Sequence, residues 1–462
     1  MKRRKFGLAA LLFLAAASLM GQTVERTESG VRFSTSQPVL NGEIVFYSPS
    51  IVRVVKYPSA EMPEKKSYPV VMTPQKVDFS FGQKAEEVVL TTSNFVVILD
   101  AETGRVEYRD LKGNTLLAEK PYGTNFLPRR DVNKSSYKVS QAFMLQPDEV
   151  IYGLGQRQTG VMNHRNQQIE LRNVNTNICI PYFTSAKGYG VYWDNPAVSQ
   201  FNDSPYETSF TSQVGLLSDY FFLYRDGTMD GVIASLRDLT GKATMFPLWA
   251  MGYWQCRERY KTPDELCNVL DKYRELEVPL DGIVQDWQYW GCDSNWNAMK
   301  FMNPYYINKI GDEKWMKYMP GGEQPKLLTK EPRIKSPQEM VDYVHKRNAH
   351  LMISIWASFG PWTDQYKELK EMKALLPFDT WPWNSGTAPY DPFNEKARDL
   401  YWRYLTPMYD MGMDAWWTDS TEPDHFNVKD SNFDLMTADG SFRSVHNAYP
   451  LHPEYIFSSL RQ

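Results

Sequence analysis

Acidic residues that close an apolar run beside tryptophans are the side chains of this sequence best suited to chemistry. Trp416-Trp417-Thr418-Asp419-Ser420-Thr421-Glu422-Pro423-Asp424 is the clearest case, and Gly282-Ile283-Val284-Gln285-Asp286-Trp287 is a second. A carboxylate fixed at a strand end can attack the anomeric carbon of a sugar acetal if it stays ionised and rigidly aimed. Cleavage with retained configuration then needs a second carboxyl group about 5 Å away to protonate the leaving oxygen. Asp419 is the candidate nucleophile. Glu422, three residues on, can hold the local backbone or a neighbouring donor. The competing reading is that such an acidic turn only caps a following helix, and that Asp286 only shapes a turn. Trp356 and Trp417 can wall a sugar site or fill a core.

The elements that must position these residues alternate. Pro247 to Trp254 reads as a buried strand. Thr262-Pro263-Asp264-Glu265 opens a helix, with Thr262 as N-cap, Pro263 in the first turn and Glu265 closing a capping box. Leu266, Val269, Leu270, Tyr273 and Leu276 follow at helical spacing. Gly282 to Trp287 is a second strand, followed by an irregular insertion over residues 291–335. Ser336-Pro337-Gln338-Glu339 repeats the helix-start chemistry, with Met340, Val341 and Val344 on the inner face. Leu351 to Trp356 is a third strand. A helix over Asn394–Tyr409, carrying Leu400, Tyr401, Tyr404, Leu405 and Met408, leads into a fourth strand, Asp414 to Thr418.

Such alternation means a parallel sheet covered by helices, either a barrel or an open doubly wound sheet. A barrel is favoured, because Asp286-Trp287, Trp356 and Thr418-Asp419 each end a strand, where a barrel gathers its active site. Only four strand–helix units can be counted before Gln462. A barrel needs eight, and half of one would leave strand edges open. The expected architecture is therefore an N-terminal antiparallel β-sandwich (residues 22–245) followed by the first half of a (β/α)8 barrel (residues 246–462), cut off in mid-domain.

The 22–245 region reads as all-β. Ile51–Tyr57 and Phe95–Leu99 are short strands, and Asp100–Gly104 and Asp110–Asn114 are turns between such runs. Gly153-Leu154-Gly155 begins like a dinucleotide loop, but Gly160 is misplaced and no amphipathic helix follows, so a tight turn is expected. Residues 1–21 read as an export signal, with basic Lys2-Arg3-Arg4-Lys5 ahead of apolar Leu8 to Met20. That places the mature chain in the periplasm or outside the cell, with no membrane insertion once the signal is removed. A net charge of −4 lacks the basic face that nucleic acid or anionic lipid demands. Aromatic residues at 14% suit stacking on sugars as well as large cores. Cys179, Cys256, Cys267 and Cys292 form no CxxC pair and have no histidines at metal spacing, so buried free thiols are expected rather than a metal site or disulfides.

The stretch Asp414 to Asp424 resembles the nucleophile signature of glycoside hydrolase family 31. In the same order, Tyr152–Gly155 with Ser185–Val191 resembles that family's N-terminal sandwich, Val278–Trp287 its second barrel strand and Met352–Trp356 its third. The resemblance runs from about Val31 to the last residue. It implies a retaining, exo-acting α-glycosidase that takes oligosaccharides and needs no metal or organic cofactor. Asp419 matches the nucleophile and Asp286 the aspartate that binds a sugar hydroxyl. Trp356 and Trp417 match aromatic walls of the first subsite, and Glu422 matches a supporting carboxylate. Asp424 and His425 fall in a loop beside the site. The doubled tryptophan and Glu422-Pro423-Asp424 lean toward the α-xylosidase branch over the α-glucosidase branch.

The family's general acid/base lies in a tryptophan-serine-glycine-aspartate stretch, which has no match after Asp424. Such a group contributes about 10²- to 10⁴-fold, so the polypeptide is expected to be inactive alone. Two other readings stay open, a non-catalytic sugar-binding protein on a decayed enzyme fold and a transglycosylase or lyase. Oligomeric state is not legible from the sequence.

Overall fold

The computed structural model describes residues 22–320, 332–423, 425 and 427–451. The segment read as an export signal, Asp424 and the end of the chain lie outside these residues.

Two antiparallel sheets face each other in the N-terminal half, one of eight strands and one of nine. Alternation along strands such as Phe95–Asp100 sends every second side chain inward. Phe46, Phe95, Tyr108 and Phe222 meet there, with the Tyr108 and Phe222 rings stacked at 3.8 Å. The expected turns form by side-chain mimicry of backbone. Asp100 Oδ1 accepts from the N–H of Glu102 and Thr103, and Asp110 Oδ1 from those of Lys112 and Asn114. Gly153-Leu154-Gly155 is a tight turn with φ of 120°, 63° and 92°. A Cβ on Gly155 would stand 1.9 Å from the Ile178 carbonyl oxygen, so no larger residue fits.

The all-β reading needs one correction. Met229–Thr240 is a helix, capped where Thr228 accepts from the Gly231 N–H. Val232, Ser235 and Leu239 bury its inner face, and Val232 and Leu239 pack with Tyr182, Phe221 and Leu223 of the eight-stranded sheet. The helical spacing was present but brief, and it abuts a strongly β-forming run.

In the second half, parallel strands β1 (Trp254–Gln255), β2 (Gly282–Gln285), β3 (His350–Trp356) and β4 (Ala415–Asp419) pair in sequence order. The longer helices are α1 (Pro263–Glu275), α2 (Pro337–His345), α3 (Asp364–Glu371) and α4 (Glu395–Asp410). Strand order without reversal fits an arc of a barrel and not a doubly wound sheet. Among the described residues the arc does not close. Ile283, Ile353 and Ile355 pack beneath the helices with Leu266, Val344 and Leu405.

Helix starts follow local chemistry. Thr262 Oγ1 accepts from the Glu265 N–H and Ser336 Oγ from the Glu339 N–H. The two glutamates reach back to the N–H of Lys261 and Lys335, one residue ahead of the cap. Leu276, expected on the inner face of α1, is 59% exposed because the helix ends at Glu275. Pro247 to Trp254 is not a buried strand. Leu248–Met251 is a 3₁₀ turn, Leu248 is 88% exposed, and pairing begins only at Trp254. An apolar run cannot be buried where no neighbouring element covers it. Cys179 and Cys267 are buried free thiols as expected, but Cys256 is exposed and Cys292 half-buried, both also free.

Below β4, Asp414 ties the sheet together. Its carboxylate accepts from the Leu351 N–H (2.8 Å) and bonds His345 Nε2 (2.8 Å) and His350 Nδ1 (3.1 Å). Burial opposes its charge, but these donors outweigh it and hold the carboxyl below its usual range. A lowered pKa gives stability that is present above the unfolded value, about 3.9, and lost as pH falls below it. Asp414→Ala should cost about 1–3 kcal/mol at neutral pH. Urea unfolding followed by tryptophan fluorescence checks this, and the variant's deficit should shrink below about pH 4.

Candidate active site

Parallel pairing between β3 and β4 places Trp356 beside Asp419 and Ser354 beside Trp417. The β2–β3 register pairs Gln285 with Ile353, so Asp286 follows one residue past the strand. Alternation then directs Asp419, Trp417, Trp356 and Asp286 to the face away from the helices, while Trp416 packs against the helix-side core. The structure thus brings four of the five sequence-predicted residues to one surface. Glu422 sits apart. It is half-buried, and its charge is felt by the phenol of Tyr449, which donates to the Tyr390 carbonyl at 2.7 Å.

Burial pushes the Asp286 carboxyl up to about 6. The N–H of Trp287, donating at 2.8 Å, opposes this, and the nearby charge of Asp419 adds to it. Asp419 is also raised by burial, against one donor, the N–H of Ser420 at 2.8 Å. For both half-buried carboxyls burial outweighs the few donors present, one backbone N–H each and the Ser354 hydroxyl beside Asp286. Hydroxyl groups of a neutral ligand would restore what burial removes.

Trp356 is rigid. Its carbonyl accepts from Asn297 Nδ2 (2.6 Å) and Tyr401 OH (3.0 Å), and its ring meets Trp296 edge-on at 4.8 Å. Trp287 packs on Trp296 at 5.3 Å, and Arg259 lies 4.8 Å over the Trp287 ring. Trp417 is looser, at 41% exposure. Sequence reasoning passed over Trp296 and Asn297, since both fall in the stretch read as an irregular insertion. It also missed Asn175 in the sandwich and Trp383 in the loop before α4. Both approach His425, Asn175 through a hydrogen bond at 3.2 Å and Trp383 ring to ring at 5.7 Å.

No group of three or more His, Cys, Asp or Glu suited to a metal ion occurs among the described residues. A cleft of about 280 Å³ on the sandwich is lined by Lys138, Glu170, Gln200 and Asn202. It has no aromatic wall, whereas the surface at Asp419 combines rings with paired acids. The latter is the better candidate.

Residues 243–458 match the glycosyl hydrolases family 31 TIM-barrel domain, and residues 42–202 the glycosyl hydrolase 31 N-terminal galactose mutarotase-like domain. The chain belongs to glycoside hydrolase family 31. An α-xylosidase of Saccharolobus solfataricus is 34% identical over 396 residues, covering 83% of this chain and 48% of that protein. Alpha-glucosidase 2 of Bacillus thermoamyloliquefaciens is 25% identical, covering 88% and 50%. The crystal structure of an α-xylosidase from Xanthomonas citri superposes with a TM-score of 0.83 at 23% identity, over 94% of this chain and 62% of that one. The family 31 chain thus spans about half the length of these two curated relatives.

The coupling of the two acids is measurable. In a carbon-13 titration of the carboxyl groups, Asp286 should titrate near 6, and Asp419→Asn should move it down toward the usual value of about 3.9. Because native Asp286 keeps a proton that the unfolded chain has lost, it also makes stability fall as pH rises from about 4 to about 6. An Asp286 titration untouched by Asp419→Asn would contradict the shared site.

Proposed function

We propose that the protein is a retaining, exo-acting α-glycosidase that removes terminal α-xylosyl residues, with α-glucosyl residues second, from oligosaccharides. One observation carries the reading: Asp419 ends β4 on the same face as Asp286, with Trp356 as its cross-strand partner and Trp417 two residues before it, in a family 31 barrel domain. The 34% identity to an α-xylosidase supports the xylosyl preference. A solved family 31 dextranase holds isomaltotriose and a similarly folded cycloalternan-forming enzyme holds a pentasaccharide, which supports an oligosaccharide as substrate.

In this mechanism an Asp419 oxygen attacks the anomeric carbon. The bond to the leaving oxygen breaks, that oxygen takes a proton from a general acid, and water later releases the sugar from Asp419 with its configuration retained. Asp286 accepts a hydrogen bond from a sugar hydroxyl and so positions the ring. Trp356 and Trp417 line the place where a hexose would carry its hydroxymethyl group, which disfavours glucose by crowding. Neither metal nor organic cofactor enters the proposed reaction. The apolar run at Leu8–Met20 supports export, to the periplasm or beyond.

Dinitrophenyl α-xyloside tests this best, because its leaving group departs without an acid and so isolates the nucleophile's step. Asp419→Asn should lower kcat/KM by at least about 10³-fold. Equal turnover by wild type and variant would defeat the reading, and sugar binding without turnover would favour a non-catalytic protein. Trp417→Ala should raise the ratio of glucoside to xyloside kcat/KM by about tenfold or more, measured on the paired aryl substrates.

A further inference from the structure

A hydrogen-bonded line runs from the sandwich to the nucleophile. The sandwich loop at its start is firmly held. Asn173 N–H donates to Asn447 Oδ1 (2.9 Å), Asn173 Nδ2 donates to the Asn447 carbonyl (3.0 Å), and His446 Nε2 bonds the Asn173 carbonyl (2.8 Å). Val174 and Asn177 close the loop with two backbone bonds, and Thr176 at its tip has φ of 72°. Asn175 on this loop reaches across to the barrel domain, its Nδ2 lying 3.2 Å from His425 Nδ1. On the far side of the ring, His425 Nε2 bonds Ser420 Oγ.

The donor pattern fixes the tautomer. An amide nitrogen can only donate, so Nδ1 must accept and the imidazole proton sits on Nε2, donating to Ser420. Burial lowers the His425 pKa, which agrees with a neutral ring. Parallel to Trp356 (6.4 Å, 8°) and edge-on to Trp383 (5.7 Å), the ring has two aromatic neighbours that limit its movement. Ser420 has φ of 50°, left-handed backbone that a serine keeps only when its surroundings impose it. In that conformation its N–H points to Asp419 Oδ1 at 2.8 Å.

We propose that Asn175 and His425 are positioning residues, through which a sandwich loop fixes the Ser420 turn and thereby aims the Asp419 carboxylate. The sandwich then sets the nucleophile's orientation as well as packing against the barrel domain. The proposal rests on Asp419 being the nucleophile of the reaction proposed above, but its geometry can be read without turnover.

The test compares Asn175→Ala, His425→Ala, the double variant and His425→Gln. A glutamine can accept from Asn175 and donate to Ser420, so it can replace the imidazole. On dinitrophenyl α-xyloside each alanine variant should lose about 10- to 10²-fold in kcat with KM within about twofold. The double variant should be no worse than His425→Ala, and His425→Gln should recover most of the loss. Independently, the carbon-13 titration of Asp419 should move upward by about half a unit or more in the alanine variants, as the Ser420 N–H loses its aim. Asp286, the acid facing it from β2, should shift with it, and Asp414 at the base of β4 serves as the internal reference. An unmoved Asp419 titration in folded Asn175→Ala and His425→Ala overturns the proposal, as does an additive double variant. A shifted Asp419 in a protein that cleaves no glycoside would support the positioning and count against the glycosidase reading instead.

Discussion

The parallel pairing of β3 with β4 is the constraint on which the site depends. Its register sets Trp356 beside Asp419, and period-two alternation turns both toward the face without helices. A slip of one residue would bury Asp419 among Ile353, Ile355 and Leu405 and expose Trp416 in its place. The apolar helix-side face therefore enforces the position of the acid. Asp414 adds a second lock at the strand's base, through Leu351, His345 and His350.

Against that rigid frame, the site itself is electrostatically uncomfortable. Asp286 and Asp419 are both raised by burial, and the Asp419 charge adds to the cost of charging Asp286. Several buried charges elsewhere are paired. Lys56 meets Glu119, and Asp219 is held by Arg53 and Lys65. The arrangement of Asp286 and Asp419 suits the proposed sugar site, since a ligand with hydroxyl donors can supply what the protein withholds.

How much was legible follows from how local each signal is. The starts of α1 and α2 were readable because Thr262 with Glu265, and Ser336 with Glu339, form their bonds within one turn. Asp419, Asp286 and Trp356 were readable as strand-end residues, and Trp417 as the ring two residues before Asp419. The helix at Met229–Thr240 was lost in a β-rich context, and Pro247–Trp254 was read as buried because an apolar run does not say what covers it. Nothing local could announce Asn175, which lies 250 residues from His425 in sequence. Nor did Trp296 stand out, in a stretch without periodicity, although it buttresses Trp356. Partners fixed only by the docking of one domain on another leave no pattern along the chain.

The proposed reaction turns on a single carboxylate, at the end of β4, that bonds to the anomeric carbon. Proton NMR of an α-xyloside digest, read before mutarotation sets in, is the decisive measurement. Double displacement through Asp419 predicts that xylose appears first as the α anomer. Initial release of the β anomer would mean that water attacks directly, and would contradict the account.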